Sequence, residues 1–263
     1  MTQIIAISNQ KGGVAKTTSC FCLGACLAEQ GYRTLIVDLD AQANLTLSVG
    51  LDPDEIDWSI ADLFENQTDN INHAILLTAI KGMEILPADL RLASIERWLF
   101  DQENYETILK KILLSFKVKY DYILLDCPPS LGSITLSALS AANRVLIPLQ
   151  CEYYAAQGLL HLLGIADAIR QRNNPQLSYS LVVTMYDSRN RINREIYNQL
   201  RLNFSKYLLR TLINMDTHLR EAAVMSEPIT TYAPKSRASI QYRQLAQEII
   251  TISTSEVHSY EPS

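Results

Sequence analysis

Long apolar runs are missing from this sequence of 263 residues. None approaches the roughly 18 consecutive residues of a membrane-spanning helix, and no basic segment precedes an apolar stretch at the N-terminus, as it would in a signal peptide. Internal repeats and Pro-, Gly- or Ser-rich linkers are also lacking. We therefore predict a cytoplasmic protein with no membrane partner, built as a single domain over residues 1–263. Its ordered fold is expected to end near residue 252, before a polar tail at 253–263.

Cysteine is scarce, and its spacing does not indicate a metal site or a disulfide framework. The five cysteines contain no CxxC pair, and their odd number favours reduced thiols. Cys22 and Cys26 would share one face of a helix and could in principle hold a metal. Because a free cysteine usually packs as a small apolar residue, we expect both in the core instead.

Charge is low and unevenly distributed. Charged residues make up 19% of the chain against 48% apolar residues, which predicts a sizeable core rather than disorder. Residues 1–150 carry 11 basic and 18 acidic side chains, whereas residues 151–263 carry 12 and 10. The net charge of −5 argues against a uniformly basic surface that binds nucleic acid, but it allows a local basic surface in the C-terminal half.

Short apolar runs alternate with longer amphipathic stretches, as in a parallel sheet covered by helices. The pattern predicts strands at residues 4–8, 34–38, 84–86, 122–126, 145–149, 180–184 and 209–213. It predicts helices at residues 16–30, 59–64, 90–99, 104–115, 132–141, 155–172, 191–202 and 240–252. The predicted class is α/β: one domain of three layers, with a mostly parallel, twisted sheet and helices on both faces.

A phosphate-binding loop (P-loop) follows the first predicted strand. Its sequence is Asn9-Gln10-Lys11-Gly12-Gly13-Val14-Ala15-Lys16-Thr17-Thr18. Glycines let backbone N–H groups close around phosphate oxygens, and the start of the next helix favours an anion. Lys16 would reach the β- and γ-phosphates of ATP, and the Thr17 hydroxyl would complete a Mg²⁺ shell. The strict motif has glycine at the two positions that Gln10 and Ala15 occupy in this chain. At Ala15, the additional methyl group is tolerated if φ is negative.

The segment from Lys11 to Thr18 resembles the deviant Walker A motif of the ParA/MinD family. The resemblance identifies Lys11 as the signature lysine, which in that family reaches across an ATP-sandwich homodimer to the phosphates bound by the partner. Such a lysine acts like an arginine finger supplied in trans, because it adds positive charge where the transferring phosphoryl group develops negative charge. The implied ATP contacts are Lys11, Gly12, Gly13, Val14, Ala15, Lys16, Thr17 and Thr18, with Lys11 and Lys16 also catalytic.

Aspartates stand at the ends of two predicted strands, where open α/β sheets place their ligands. Asp38 and Asp40 follow one strand, and Asp126 ends another. The family resemblance implies that Asp40 positions or activates the attacking water and that Asp38 supports the Mg²⁺ and γ-phosphate region. It also implies that Asp126 is the Walker B aspartate, so that Thr17, Asp38 and Asp126 form the metal set. Taken alone, each aspartate is equally well interpreted as a helix N-cap.

The chain resembles the short ParA/Soj-like type over nearly its whole length. We expect no helix-turn-helix domain ahead of the loop, and the polar C-terminus differs from the basic amphipathic membrane helix of MinD proteins. The resemblance implies nonspecific DNA binding by the ATP-bound dimer. The candidate DNA contacts are Arg189, Arg191, Arg220, Lys235 and Arg237.

The charge distribution agrees with this DNA hypothesis. The segment between residues 186 and 243 contains ten basic and five acidic residues. This composition suits contacts with DNA phosphates that do not read the base sequence. Incidental arginines on a solvated helix face remain the alternative. Residues 214–218 depart from the family pattern and lose two cations, which predicts weaker or differently distributed DNA binding. Met185 and Asn214 are assigned to the nucleotide, because the family holds adenine nearby.

These features predict a Mg²⁺-dependent ATPase that acts as a nucleoid-bound positioning switch. Its cargo would be a plasmid or chromosomal partition complex, or a protein organelle such as the carboxysome. A ParB-like or McdB-like adaptor would stimulate hydrolysis and release the homodimer from DNA. Two other hypotheses stay open: a P-loop ligase or phosphotransferase for small molecules that does not bind DNA, and a regulatory scaffold that binds nucleotide without turnover.

Overall fold

The computed structural model describes residues 2–66, 71–114, 116, 119–152 and 155–258, and a single sheet joins all its described strands. These strands are β1 Gln3–Ile7, β2 Thr34–Asp38, β3 Leu76–Leu77, β4 Met83–Leu86, β5 Tyr122–Asp126, β6 Arg144–Leu149, β7 Ser178–Tyr186 and β8 Leu208–Asn214. Their order across the sheet is β3-β4-β2-β5-β1-β6-β7-β8, and the described pairs are parallel except β3–β4. Every residue of β2 and β5 is buried, as expected for parallel strands covered on both faces.

Helices cover both faces of the sheet and create two cores. The described helices are α1 Lys16–Glu29, α2 Asn44–Ser48, α3 Ile60–Asn66, α4 Leu92–Phe100, α5 Ile108–Leu114, α6 Ser133–Ala141, α7 Ala155–Arg172, α8 Arg191–Phe204, α9 His218–Val224, α10 Ile229–Tyr232 and α11 Arg237–His258. The core under α1 and α11 includes Leu23, Ile36 and the fully buried Tyr242. The opposite core, under α3 to α8, includes Phe64 and Leu99. This arrangement confirms the predicted three-layer α/β fold.

Gly24 explains how closely α1 approaches the sheet. A Cβ atom at this position would lie 2.8 Å from Ile36 Cγ2 and 3.0 Å from Met83 Sδ. Real Cβ atoms do not come this near to neighbouring side chains, so any larger residue would push α1 outward. Since α1 begins at the phosphate-binding loop, Gly24 also helps to set the height of that loop above the strands.

The predicted elements differ from the structure mainly at their ends. All seven predicted strands are present, but the short elements β3, α2, α9 and α10 were missed, because so few residues give no clear periodicity. The helix predicted at 104–115 starts as a 3₁₀ turn, and α5 begins only at Ile108; residue 115 lies outside the described residues. The last helix, α11, begins at Arg237 and continues to His258, past the predicted end at 252.

The extension of α11 has a local cause. The hydroxyls of Thr251 and Thr254 donate to the carbonyls of Gln247 and Ile250, so these polar side chains are satisfied within the helix itself. Ser253 is buried as well. The hydroxyl-rich sequence that suggested a tail is therefore helical as far as His258, and residues 259–263 of the predicted tail lie outside the described residues.

Cys22 and Cys26 lie on the buried side of α1. All five cysteines are buried free thiols, and burial raises the pKa of the Cys22 thiol to about 12. Within the described ranges, no group of three or more His, Cys, Asp or Glu side chains could hold a metal ion. Cys22 and Cys26 thus pack in α1 as small apolar residues. No described helix has the length and apolarity needed to cross a bilayer.

Candidate functional site

The carboxyl ends of three central strands meet at one place. In the register of the sheet, Asp126 of β5 lies beside Asp38 of β2 on one side and beside Ile7 of β1 on the other. The loop that leaves β1 therefore starts next to both aspartates. Strands β6 to β8 lie on the other side of β1, so this point is the switch in strand order at which open α/β sheets bind ligands.

Side-chain donors from within the phosphate-binding loop and from outside it bond to its carbonyl groups. The carbonyls of Lys11, Gly13 and Val14 accept from Lys16 Nζ (3.3 Å), Gln150 Nε2 (2.9 Å) and Thr184 Oγ1 (3.0 Å). Asn9 anchors the start of the loop by donating to the Pro148 carbonyl and accepting from the Lys11 N–H. The first turn of α1 has no side-chain cap. Its N–H groups are thus presented for an anion.

Ala15 has a left-handed backbone conformation. It stands at the N-cap of α1 with φ 65° and ψ 36°, so the condition of a negative φ, under which a methyl group is tolerated there, is not met. Its carbonyl accepts from Ser19 N–H at 2.9 Å, which begins the first turn of the helix. For a residue with a Cβ this conformation costs about 1–2 kcal/mol. The phosphate-binding loop therefore carries backbone strain at Ala15.

Ala15→Gly is expected to stabilise the unliganded protein. Glycine removes the left-handed penalty but gains freedom in the unfolded chain, so the free energy of unfolding should rise by up to about 1 kcal/mol. Urea denaturation would measure the change. The matched control is Ala93→Gly in the exposed part of α4, which should lower stability by about 0.5–1 kcal/mol. Equal destabilisation by both substitutions would contradict the assigned strain.

Lys16 and Asp126 form a buried pair of charges below the loop. Burial lowers the pKa of the Lys16 amine, although Asp126, Cys127 and Asp40 act in the opposite direction. Burial, followed by the charge of Asp38, raises the pKa of Asp126, while a hydrogen bond from Thr17 opposes this. Asp126 Oδ1 finds no hydrogen-bond partner among the described residues. A buried carboxylate oxygen without a partner, beside the Thr17 hydroxyl, is a fitting ligand for a hard cation.

Asp38 and Asp40 have different surroundings. Asp38 is fully buried and accepts hydrogen bonds from the N–H of Asp40 (3.1 Å), the N–H of Thr46 (2.9 Å) and the Thr46 hydroxyl (2.8 Å). Asp40 lies past the end of β2, is partly exposed and accepts from Gln42 N–H at 3.0 Å. Burial raises the pKa of Asp38 despite these bonds. Asp38 thus anchors α2 to the strand end, whereas Asp40 faces the open site.

Lys11 extends away from the loop that carries it. Its amine forms an ion pair with Glu152 and donates to Gln150 Oε1 at 3.3 Å, and its side chain is 42% exposed. Thr46, Gln150 and Glu152 were not predicted from the sequence. Thr46 follows Asp38 closely but belongs to no recognisable motif. Gln150 and Glu152 reach Lys11 from a distant segment, so their contacts depend on the order of the strands, which the residues themselves do not indicate.

Met185 and Asn214, the two predicted nucleotide contacts outside the loop, line one cavity beside it. They line a cavity of about 140 Å³ with Ala15, Thr18 and Tyr242. Met185 has a left-handed backbone, with φ 51°. The Asn214 amide donates to the Tyr186 carbonyl at 3.1 Å and accepts from Gln241, so this side chain is a fixed part of the wall. The cavity adjoins the N-terminus of α1, and its assignment to the nucleotide base stays a prediction.

Comparison with known proteins identifies the family. A family model described as an AAA domain matches residues 2–179. The sporulation initiation inhibitor protein Soj of Bacillus subtilis (strain 168) is 38% identical over 250 residues, which cover 95% of this chain and 98% of that protein. This chain belongs to the ParA/MinD family of deviant Walker A ATPases. The chromosome partitioning protein ParA of Myxococcus xanthus is 39% identical over 249 residues, covering 94% of this chain and 88% of that protein.

Solved structures of similar proteins show the same fold as this ParA/MinD-family chain. Cobyrinic acid a,c-diamide synthase from Mycobacterium smegmatis, with a bound ATP analogue and magnesium, is 35% identical, has a TM-score of 0.85 and covers 97% of each chain. Apo McdA from Cyanothece shows the fold at 19% identity and a TM-score of 0.84, covering 95% of this chain and 100% of that one. ATP and Mg²⁺, the cofactors predicted from the sequence, correspond to those held by the first of these neighbours.

Several of the predicted DNA contacts gather where β7 ends. Hydrogen bonds from Arg189, followed by a smaller contribution from Arg237, lower the pKa of Asp187 to about 2. Arg194 donates to the carbonyls of Ser188 and Arg189, and Arg191 pairs with Glu195. The surface thus carries four arginines, namely Arg189, Arg191, Arg194 and Arg237, and two acids. Exposed ion pairs of this kind are weak, so phosphate groups could compete for the arginines.

The other two candidates lie elsewhere on the C-terminal half of this ParA/MinD-family chain. Arg220 is exposed on α9 and contributes to the wall of the Met185–Asn214 cavity. Lys235 is exposed in the turn before α11. Arg220 therefore lies at the Met185–Asn214 cavity, and its assignment to DNA stays a prediction.

Proposed function

We propose that this protein is an ATP-driven switch that dimerises with ATP and Mg²⁺, binds DNA without sequence preference and positions intracellular cargo. The observation that carries the proposal is the placement of Lys11. Its amine lies at the open side of the phosphate-binding loop, where Glu152 and Gln150 hold it. Lys16, by contrast, is buried beneath its own loop. Because its amine is exposed, Lys11 could reach phosphates that are bound to a second copy of the protein, whereas the buried Lys16 could not.

The residues below the loop would hold the nucleotide and its metal. Lys16 would bind the β- and γ-phosphates, and the loop N–H groups would surround the phosphate oxygens. Thr17 and the unpartnered Asp126 Oδ1 would hold Mg²⁺, directly or through water, with Asp38 supporting the same region. Bound Mg²⁺ would neutralise negative charge on the phosphoryl group.

Asp40 and Asp38 would divide the hydrolytic work. The partly exposed Asp40 carboxylate faces the site and would orient and deprotonate the attacking water. Asp38 would position Asp40 through the 3.1 Å bond to its N–H and would hold α2 through Thr46. Lys11 of the partner copy would complete the charge stabilisation in the transition state. Hydrolysis would then separate the two copies.

Dimerisation would double the arginine surface at the end of β7, because each copy contributes one. Nonspecific DNA binding strengthens steeply with the number of phosphates contacted, so the dimer would bind the nucleoid and the monomer would leave it. An adaptor of the ParB or McdB kind would stimulate hydrolysis at this site. The relative named as a chromosome partitioning protein supports chromosomal cargo. A plasmid partition complex and a protein organelle are the alternatives.

A second candidate function is an ATP-dependent ligase for small molecules. The 35% identity to a chain named as a diamide synthase favours it. Such an enzyme would need an acceptor site beside the γ-phosphate and would bind no DNA. Lys11 would then be dispensable, which separates the two functions in one experiment.

The test is DNA binding by the wild-type protein and by Lys11→Ala, with ATP·Mg²⁺ or ADP·Mg²⁺, across a salt titration. We expect binding only by the wild type with ATP, and a steep loss of affinity with rising salt. Sedimentation under the same conditions should show a dimer only for the wild type with ATP. A wild type that hydrolyses ATP but binds no DNA in any nucleotide state would instead favour the ligase.

Arg189→Glu is expected to weaken DNA binding about tenfold or more without changing ATP-driven dimerisation, because it replaces a phosphate contact with repulsion in each copy. Arg33→Glu is the matched control. Arg33 is also exposed and ion-paired, with Asp121, but it lies at the opposite ends of the strands. Fluorescence anisotropy with a DNA duplex would measure both. Similar losses for the two variants would place the DNA surface elsewhere.

A further inference from the structure

Gln150 stands directly after β6 and touches three parts of the nucleotide site. Its Nε2 donates to the Gly13 carbonyl at 2.9 Å and lies against Met185 Sδ, while its Oε1 accepts from the Lys11 amine. Gly13 belongs to the phosphate-binding loop, and Met185 belongs to the wall of the proposed base cavity. One amide group therefore bridges the places where the two ends of a nucleotide would bind.

The contact between Gln150 and Gly13 affects which backbone groups the loop presents to phosphate. Gly13 has φ 73°, and its carbonyl oxygen is a partial negative charge within a loop built to surround an anion. A carbonyl that turned toward the phosphates would repel them, whereas the N–H groups attract them. A hydrogen bond from Gln150 that holds this carbonyl to the side favours the orientation that presents N–H groups, and its effect is greatest when the amide itself is held in place.

The contact between Gln150 and Met185 links the amide to the wall of the proposed base cavity. Met185 is a non-glycine residue in the left-handed region, a conformation that persists only where the surroundings impose it. The hydrogen bond from Met215 N–H to the Tyr186 carbonyl supplies such a constraint on the neighbouring backbone, and the Met185 sulfur lies against the Gln150 amide. A base in the cavity would contact Met185 and would thereby limit the movement of the amide that holds Gly13.

We propose that Gln150 is a positioning residue that couples the base cavity to the phosphate-binding loop. When the cavity is occupied, the Met185 side chain is held in place, and Met185 in turn holds the Gln150 amide. The amide then keeps the Gly13 carbonyl turned away from the phosphates. The protein consequently favours a nucleotide over a phosphate chain that lacks the base. This inference rests on the proposed function only in that the site binds adenine nucleotides; it does not require dimerisation or DNA.

The test compares the affinities for ADP·Mg²⁺ and for pyrophosphate·Mg²⁺ by calorimetry, because neither ligand drives dimerisation in the proposed cycle. Gln150→Leu keeps the shape of the side chain and removes its N–H groups. We expect the affinity for ADP to fall about tenfold and that for pyrophosphate to fall less than about threefold, so that the preference for the nucleotide shrinks. In the double variant with Met185→Ala, no further loss of ADP affinity is expected.

Two variants serve as controls. Gln150→Glu keeps an acceptor for Lys11 but cannot donate, so it should show the same loss of preference even if Gln150→Leu folds poorly. Gln247→Leu changes an exposed glutamine of α11 and should leave both affinities unchanged. Equal losses for the two ligands, or additive losses in the double variant, would overturn the coupling. A wild type that binds neither ADP nor ATP would instead refute the proposed function.

Discussion

Replacement of Lys16 by alanine is expected to abolish ATP binding, with an affinity loss of at least about 100-fold. The buried amine lies beneath the loop and close to Asp126, where it would form charge-assisted hydrogen bonds to the β- and γ-phosphates. Each such bond contributes about 1.5–3 kcal/mol, and 1.4 kcal/mol corresponds to a factor of ten. Calorimetric titration of the variant with ATP·Mg²⁺ would measure the loss.

Two controls separate this effect from a folding defect. Lys16→Met retains the length of the buried side chain without its charge, and it should lose ATP binding while keeping the thermal stability of the wild type. Lys11→Ala changes the other lysine of the loop and should still bind nucleotide as a monomer. An unaltered ATP affinity in Lys16→Ala would overturn the assignment of the loop itself.

The second large effect is expected from Asp40→Ala, which should slow ATP hydrolysis by at least about 100-fold while leaving ATP binding and dimerisation intact. A side chain that orients and deprotonates the attacking water typically contributes a factor of 10² to 10⁴. Because the ATP-bound dimer would no longer separate, the variant should stay on DNA. Phosphate release in the presence of DNA, together with the dissociation rate from a DNA duplex, would measure both consequences.

Asp54→Ala is the matched control for Asp40→Ala. Asp54 is an exposed aspartate in the 3₁₀ turn at Pro53–Glu55, outside the site, and its removal should not change the rate. Asp38→Asn is a different case, because Asp38 is buried and bound by Thr46, so this change should also lower stability. Hydrolysis that proceeds unchanged in Asp40→Ala would favour a regulatory scaffold without turnover at these residues.

The sequence predicted most of the fold because the signals were strong and local. Continuous apolar runs such as those ending at Asp38 and Asp126 are typical of strands buried on both faces, and the longer amphipathic stretches between them indicate crossover helices. Errors are concentrated in short elements and helix ends. The last helix continues through 253–258, since its hydroxyl groups bond within the helix, a possibility that hydropathy alone does not reveal.

The site was predicted in part. The phosphate-binding loop and the aspartates at the strand ends follow from residue types at recognisable spacings, and the sheet does bring Asp38 and Asp126 side by side. The left-handed conformation of Ala15 belongs to the turn into α1, which the residue types alone do not indicate. The separate roles of Asp38 and Asp40 come from the family resemblance and stay a prediction, to which the structure adds the different hydrogen bonds of the two side chains.

By itself, the sequence determined that this chain is an α/β P-loop protein with a second lysine at the start of its loop, because strand, loop and helix are contiguous in the chain. Only the tertiary structure decided what holds that loop and that lysine. Gln150, Glu152 and Thr184 reach the loop and Lys11 from other segments of the sheet and its connections. The physical reason is that these contacts depend on strand order and register, which bring together residues more than a hundred positions apart.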